Sequence, residues 1–452
     1  MMEAGSETRT DRKKSLRRKT FFINCSGCAR SGMNAEKVRD YLVKNGLRMV
    51  NVVEKADLIL MLTCGLPTST PGELKVIHEY KKCKGELIIC GCLPAMEPER
   101  LAEVFDGRTV ITRELERIDD LFPDFRFKFK DMGDTNRLFG EGYYHQYSKS
   151  TNVPIKALFL ESFAYFVRGL EQIVLRVIEY EIRMPFLERT GLPRLIDVDP
   201  EGYSVRISSG CLGNCSYCAI KDAIGRLRSK APEEILQEVR TAVSKGEYRI
   251  SIVSDDAGAY GLDIGTDMIS LLKKVLDVDE KIRIDYLQDV NPQYLCRFGD
   301  ELIEMIGTGR IKSLQTAVQS GSERLLRLMN RPLDVDRYKM MIKNMKKAYP
   351  RVRIRTQMIV GFPSETEEDF DETVKLLKEC CFDQVDVYKY HEYGSCASVE
   401  IFPKVSMKTM EERQRALIDM GRPQLVIFSR INIKRVLQQI GFILGLWKEP
   451  LY

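Results

Sequence analysis

Short apolar runs alternate with longer amphipathic stretches along most of the chain. From Thr20, "TFFIN" reads as a strand, "AEKVRDYLVKNG" as a helix stopped at a glycine, and "ADLILMLT" and "ELIIC" as two more strands. Strand–helix alternation of this kind predicts a parallel sheet covered by helices. This first domain is expected over residues 20–135. A second alternating pattern begins at Tyr203 with six strand candidates: "YSVRISS", "RISIVSD", "IRIDYL", "IKSLQTAV", "RVRIRTQMIVG" and "QVDVYKY". Helical stretches such as "APEEILQEVRTAVSKG" and "DFDETVKLLKECC" separate them. Six consecutive βα units predict an open, partial (βα)6 barrel over residues 201–400, with its chemistry at the C-terminal ends of the strands. The fold class expected is therefore α/β: an N-terminal parallel α/β domain followed by a partial barrel.

The remaining segments fit neither pattern. Residues 136–200 read as a linker carrying an apolar helical insertion, Val153 to Leu192. Glu161, Arg168, Glu171, Arg176, Glu179 and Glu181 interrupt that insertion, whereas a membrane span needs roughly 20 mostly uncharged residues. It reads as one or two helices packed on a domain or a partner. Residues 401–452 read as a helical C-terminal extension. Residues 1–19 are polar and basic without an apolar centre, so neither a signal peptide nor a membrane anchor is expected there. They read as a disordered tail whose basic stretch, Arg12 to Lys19, gives at most weak attraction for nucleic acid. Hydrophobic content of 44%, charged content of 30% and a net charge of +5 suit a soluble protein of two or three domains in 452 residues.

The 13 cysteines change the picture. With no export signal they are expected to stay reduced in the cytoplasm, which argues against disulfides. Three of them, Cys211, Cys215 and Cys218, form a CxxxCxxC in "GCLGNCSYCA", directly after the first barrel strand. Three thiolates on one loop can hold three irons of a cubane 4Fe-4S cluster and leave the fourth open. A structural zinc site wants four ligands, and no fourth cysteine or histidine lies nearby in sequence. Only three histidines occur, His78, His145 and His391, and none is paired at ligand spacing. A second group, Cys28, Cys64 and Cys92, sits at strand exits, and in a parallel sheet such loops share one edge. Cys25 and Cys90 are near neighbours and rival candidates.

CxxxCxxC with an aromatic, Tyr217, before the third cysteine resembles the radical S-adenosylmethionine (SAM) superfamily, whose catalytic fold is a partial (βα)6 barrel. That resemblance implies that the open iron binds SAM and that reduction yields a 5′-deoxyadenosyl radical, which takes hydrogen from carbon. Within it, the chain is similar to the methylthiotransferases. Ala56-Asp57, Thr63-Cys64 and Gly91-Cys92 match the family's N-terminal domain. "GRLRSKAPEEILQEV", "SDDAGAYGLD", "VQSGSERLLRLMNR" and "MIVGFPSETEEDF" match its barrel, and "YGSCAS" stands where the family has a Gly-Thr-Pro-Ala turn. The resemblance implies two 4Fe-4S clusters, one on Cys211, Cys215 and Cys218 and one on Cys28, Cys64 and Cys92. It also implies SAM as cofactor and an electron donor such as flavodoxin or ferredoxin. The barrel motifs read as a SAM pocket made of Tyr217, Asp255 for the amine or ribose, Gln319 and Ser320 at the end of the fourth strand, Arg331 for the carboxylate, and Gly361 for close backbone approach. Asp255 departs from the glutamine usual in the family.

The activity implied is insertion of sulfur at an unactivated C–H bond followed by methylation. Two other readings compete with it: a two-cluster radical SAM enzyme doing another C–H functionalisation, and a non-enzymatic iron–sulfur protein. The family's usual C-terminal RNA-binding β-barrel is expected to be missing, because the tail reads as helix. A peptide, protein or small-molecule substrate is therefore expected ahead of tRNA, with no membrane partner.

Overall fold

The computed structural model describes residues 19–26, 28–138 and 203–420. The first sheet has five parallel strands: β1 (Thr20–Cys25), β2 (Arg48–Met49), β3 (Leu58–Thr63), β4 (Glu86–Gly91) and β5 (Arg108–Ile111). They lie in the order β2-β1-β3-β4-β5. Every residue of the central β3 is buried, as expected of a strand covered on both faces. The apolar runs predicted β1, β3 and β4. Strands β2 and β5 were not predicted, because they are short edge strands with mostly exposed or half-exposed residues and carry no apolar run.

The second sheet begins with β6 (Tyr203–Arg206). Next to it, β7 (Ser208–Ser209) and β8 (Arg228–Ser229) form a small antiparallel ribbon. The sheet continues with β9 (Arg249–Val253), β10 (Arg283–Leu287), β11 (Ser313–Gln315), β12 (Arg353–Val360) and β13 (Gln384–Lys389). Its order is β13-β12-β11-β10-β9-β6, all parallel, so the edge strands β6 and β13 do not close on each other. The expected six-stranded open barrel is thus present, with two local differences. "YSVRISS" is not one strand. It breaks after Arg206, and Ser208–Ser209 leaves the sheet to pair with Arg228–Ser229, which closes the base of the cysteine loop. "IKSLQTAV" keeps strand geometry only over Ser313–Gln315.

The helices between strands start where short polar side chains accept the free N–H groups of the first turn. Asp267 accepts from Ser270, Asp334 from Arg337, and Thr366 with Asp369 forms a reciprocal capping box. The core lies between strands and helices, where Ile250, Ile252, Ile284, Leu314, Ile354 and Val360 are fully buried. The described residues from 19 to 138 and from 203 to 418 fall in one compact unit that holds both sheets. The expected insertion at 153–192, the tail at 1–18 and the extension beyond residue 420 lie outside the described residues. No helix among the described residues is long and apolar enough to cross a membrane.

Candidate metal centres and the seam between them

The CxxxCxxC loop leaves β7 through Gly210, which has φ +80°, and a Cβ there would stand 2.0 Å from the Arg226 carbonyl oxygen. Only glycine fits this turn. The Cys211 N–H then donates to the Gly225 carbonyl (3.1 Å), and Ser216 donates through its N–H to the Met329 carbonyl (2.9 Å) and through Oγ to the Leu328 carbonyl (2.8 Å). These bonds fix the loop over the carboxyl end of the barrel. The sulfurs of Cys211 and Cys215 both face Gly213, 3.2 and 3.8 Å from where a Cβ would lie. Burial pushes the Cys211 thiol up to about 12 and Cys218 to about 11, and the neighbouring thiols add to both. Thiols held this way ionise only when a cation supplies the opposing charge.

The second group lies on adjacent strands of the other sheet. Cys28 starts the helix Ala29–Lys44, Cys64 follows β3, and Cys92 follows β4. Buried Glu73 ties two of these loops together. It accepts from the Cys64 N–H (2.8 Å), the Gly65 N–H (3.4 Å) and the Ser26 hydroxyl. The Cys92 N–H donates to the Thr63 carbonyl (2.8 Å). Gly91, at φ +109°, lets β4 pass β3 so closely that a Cβ would meet the Thr63 carbonyl oxygen at 2.3 Å. We expect Gly91→Ala to cost about 1–3 kcal/mol, the usual penalty for overpacking, read as a lower midpoint in chemical denaturation.

Cys64 and Cys92 feel the charge of Cys28, and Cys92 that of Cys64. Cys90 lies fully buried in β4, where burial alone raises its thiol, so it belongs to the core. Cys25 stays near the group, with its sulfur 3.4 Å from the Ser31 hydroxyl. Among the described residues, no three His, Cys, Asp or Glu side chains gather tightly enough for a single metal ion. A cubane binds each thiolate to a different iron, and such ligands stand further apart than those around one zinc.

The two groups meet at one seam. Met96, Cys92, Ala95 and Leu66 from the first sheet's loops share an apolar cluster with Cys211, Ala219, Ala223 and Ile224 from the barrel loop. Tyr393 and Cys396 complete that cluster, and the Tyr393 hydroxyl donates to the Gly65 carbonyl (3.2 Å). Arg30, in the first turn of the helix that follows Cys28, crosses the seam. It pairs with Asp255 (2.8 Å) and Asp289 (3.0 Å) and donates to the Ser254 carbonyl (2.8 Å).

The residues expected to form a SAM pocket are placed unequally. Tyr217 and Arg331 meet beside Cys215: Arg331 donates to the Tyr217 hydroxyl (3.1 Å), the Ala317 carbonyl (2.8 Å) and Asn291 Oδ1 (3.3 Å). They stand next to a cavity of about 170 Å³ lined by Cys215, Asn291 and Val318. Asp255 holds the loop itself, since its Oδ2 accepts the Gly210 N–H (2.7 Å) while its Oδ1 faces Arg30. Gln319 takes φ +74° beyond the exit of β11, buried, with its Oε1 unpartnered among the described residues. Ser320 is turned inward to Thr373 (3.1 Å) and the Ser322 N–H (3.1 Å). At Gly361 the missing side chain makes room for Met410, whose Cγ would lie 2.2 Å from a Cβ.

Sequence reasoning missed Arg30, Glu73, Asp256 and Asp289. The Asp255-Asp256 pair was visible, but its second member was passed over. Asp256 is buried opposite Arg331 and its carboxyl is pushed up to about 7 by burial. It also missed the character of the barrel lumen. Along β12, buried Ile354, Thr356, Met358 and Val360 alternate with half-exposed Arg353, Arg355, Gln357 and Ile359. This face continues on neighbouring strands, where Arg355 is level with buried Gln315 and half-exposed Gln384, and Gln357 with Asp386. Arg355 lies over the Tyr286 ring (5.6 Å), Tyr286 donates to Gln315, and Gln315 donates to Asp289. Closed (βα)8 barrels fill this space with Val, Ile and Leu; here it is lined mainly by polar groups.

Comparison with known proteins agrees with this geometry. Residues 205–377 match the Radical SAM superfamily, and residues 20–112 match Uncharacterized protein family UPF0004. The chain is 26% identical to a probable threonylcarbamoyladenosine tRNA methylthiotransferase of Pyrococcus horikoshii, over 94% of this chain and 88% of that protein. It is 29% identical to the tRNA-2-methylthio-N(6)-dimethylallyladenosine synthase of Bacillus subtilis, over 88% of this chain and 71% of that protein. A probable threonylcarbamoyladenosine tRNA methylthiotransferase of Archaeoglobus fulgidus is 38% identical over 48% of this chain and 51% of its own length. Among solved structures, the radical S-adenosylmethionine methyltransferase TsrM of Kitasatospora setae shares the fold, with a TM-score of 0.53 at 12% identity over 84% of this chain and 77% of that one.

Proposed function

The chain belongs to the radical SAM methylthiotransferase family, and from that premise we propose that it attaches a methylthio group to an N6-threonylcarbamoyladenosine in tRNA. It is a sulfur-group transferase whose cofactors are SAM and two 4Fe-4S clusters. When bound, these supply hydrogen abstraction from carbon, the sulfur and the methyl group. In this reading Cys211, Cys215 and Cys218 hold the cluster that binds SAM, and Cys28, Cys64 and Cys92 hold the other. The observation that carries the reading is the meeting of two three-cysteine loop groups at one seam, each at the carboxyl edge of its own parallel sheet.

The chain's own residues then have separable tasks. Tyr217 and Arg331 wall the SAM side of the CxxxCxxC loop. Asp255 and Gly210 hold that loop in place, and Gln319 presents its unpartnered oxygen at the strand exit to SAM or acceptor. Asp256, opposite Arg331, is a further polar group for SAM. Tyr286, Gln315, Arg355 and Asp386 line the lumen that receives the acceptor. A flavodoxin or ferredoxin serves as electron donor, in the cytoplasm.

The acceptor is chosen on two grounds. The expectation of a peptide or small molecule rested on a tail read as helix, and residues 421–452 lie outside the described ones. The relatives reported above carry tRNA names, and nothing favours a peptide over tRNA. Between the two modified adenosines in those names, a polar lumen suits threonylcarbamoyl, with its hydroxyl and carboxylate, better than an apolar dimethylallyl group, because a buried polar wall left unpaired by an apolar ligand is costly. Reconstituted protein offered tRNA bearing either modification, followed by mass spectrometry of the nucleosides, tests this. A methylthio increment is expected on threonylcarbamoyladenosine, with at least a tenfold preference. An increment on neither tRNA overturns the reading.

A further inference from the structure

We infer that Arg30 is the positioning residue that sets the placement of the two cluster loops relative to each other. The inference rests on reading both cysteine groups as cluster sites. It is carried by an uninterrupted chain of contacts that crosses the seam.

On one side, Arg30 lies two residues after Cys28, in the first turn of the helix Ala29–Lys44. The carbonyl of Arg30 accepts from Arg206 Nη2 (3.2 Å), and Asn34 of the same helix accepts from that nitrogen too (2.8 Å). The start of the helix is thus clamped from the barrel side. On the other side, the Arg30 guanidinium reaches Asp255 through Nε (2.8 Å) and both Asp289 (3.0 Å) and the Ser254 carbonyl (2.8 Å) through Nη1. Asp255 passes the contact on, because its second oxygen accepts the N–H of Gly210, the residue before Cys211 (2.7 Å). From Cys28 to Cys211 the path therefore runs through two side chains and otherwise only backbone. Asp289 branches it into the lumen by way of Gln315 and Tyr286.

The chemistry suits a spacer. Arg30 is half-buried, and its guanidinium stands within 3.0 Å of two carboxylates, Asp255 and Asp289. A planar fork engages two carboxylates at once with fixed angles; an ammonium on a flexible stem is a point charge that cannot hold both in one geometry. Among the described contacts, Arg30 reaches the residues expected around SAM through Asp255, whose other oxygen holds the cluster loop. Its effect falls on how the sulfur-side loop meets the acceptor held over the barrel. Transfer between two bound groups is sensitive to displacement on the ångström scale, at about a hundredfold in rate per ångström.

The test uses Arg30→Lys, which keeps the charge, and Arg30→Met, which removes it, in reconstituted full-length protein. In Arg30→Lys we expect the iron and sulfide content of the wild type and unchanged 5′-deoxyadenosine formation without acceptor. With acceptor tRNA, the ratio of 5′-deoxyadenosine to methylthio product should rise at least tenfold, and the dipolar interaction between the two reduced clusters should broaden in pulsed electron paramagnetic resonance. In Arg30→Met both effects should be larger. An unchanged ratio and an unchanged dipolar interaction in Arg30→Lys overturn the inference. So does loss of iron from either site in that variant, because Arg30 would then build a site rather than space two. A wild-type protein that holds fewer than two clusters overturns the proposed function instead, which separates the two failures.

Discussion

Replacing Cys211, Cys215 and Cys218 together by alanine is expected to halve the iron of anaerobically reconstituted protein, from about eight to about four per chain, and to abolish 5′-deoxyadenosine formation. The loss should be complete rather than graded. These thiols are held on a loop whose shape depends on Gly210, Asp255 and Ser216, and that scaffold survives the substitutions. The side chains removed are the donors themselves. Fold should change little: removing three thiols takes little from the core, and although the loop loses the Gly213 N–H bond to the Cys211 sulfur (3.1 Å) and the Arg331 contact to the Cys215 sulfur, it keeps the bonds made through backbone atoms, Asp255 and Ser216. Circular dichroism and gel filtration of the variant therefore serve as controls. Iron quantitation and chromatographic assay of 5′-deoxyadenosine with dithionite and SAM are the measurements. Full iron content in the triple variant would show that the cluster sits elsewhere.

Replacing Cys28, Cys64 and Cys92 should also remove about half the iron, but with a different functional result. SAM cleavage should persist, uncoupled from product, while methylthio product disappears. The asymmetry follows from the layout. The SAM-side loop takes its hydrogen bonds from barrel residues Gly225, Leu328, Met329 and Asp255, none of them from the first sheet. The second group is organised by Glu73 and the β3–β4 pairing, which the alanine substitutions leave intact. Cys25 is the alternative donor, because it lies next to the group, whereas Cys90 is closed into β4. If Cys28→Ala alone keeps its full iron and adding Cys25→Ala removes half of it, the site is Cys25, Cys64 and Cys92.

What was readable in the sequence, and what was not, divides along physical lines. Local periodicity announced every long strand, since a central strand such as β3 must be apolar at each position to be buried on both faces. Edge strands β2 and β5 have no such requirement and left no pattern. The cysteine groups were legible because spacing and strand exits are local features. Arg30 was not, as its partners Asp255 and Asp289 lie more than two hundred residues away and nothing near Arg30 announces them. Glu73 stands in the first turn of a helix, where a carboxylate is unremarkable in sequence, and only its contacts to the Cys64 and Gly65 amides set it apart. Gly361 shows a general limit: a glycine at positive φ signals close approach but does not say of what, and here Met410 packs against it. The lumen escaped because "RIRTQMIV" shows its alternation plainly, but only the strand order makes its polar face concave.

The central claim is that this chain takes hydrogen from an acceptor carbon and then places a methylated sulfur there. The direct test is turnover on tRNA carrying deuterium at C2 of the threonylcarbamoyl-modified adenosine, the position named in the 2-methylthio relatives. The account predicts deuterium in 5′-deoxyadenosine, S-adenosylhomocysteine formed alongside it, and a methylthio group at the carbon that lost the label. Deuterium transfer without S-adenosylhomocysteine would mean a different C–H functionalisation. No 5′-deoxyadenosine at all would contradict the account and leave an iron–sulfur protein that is not an enzyme.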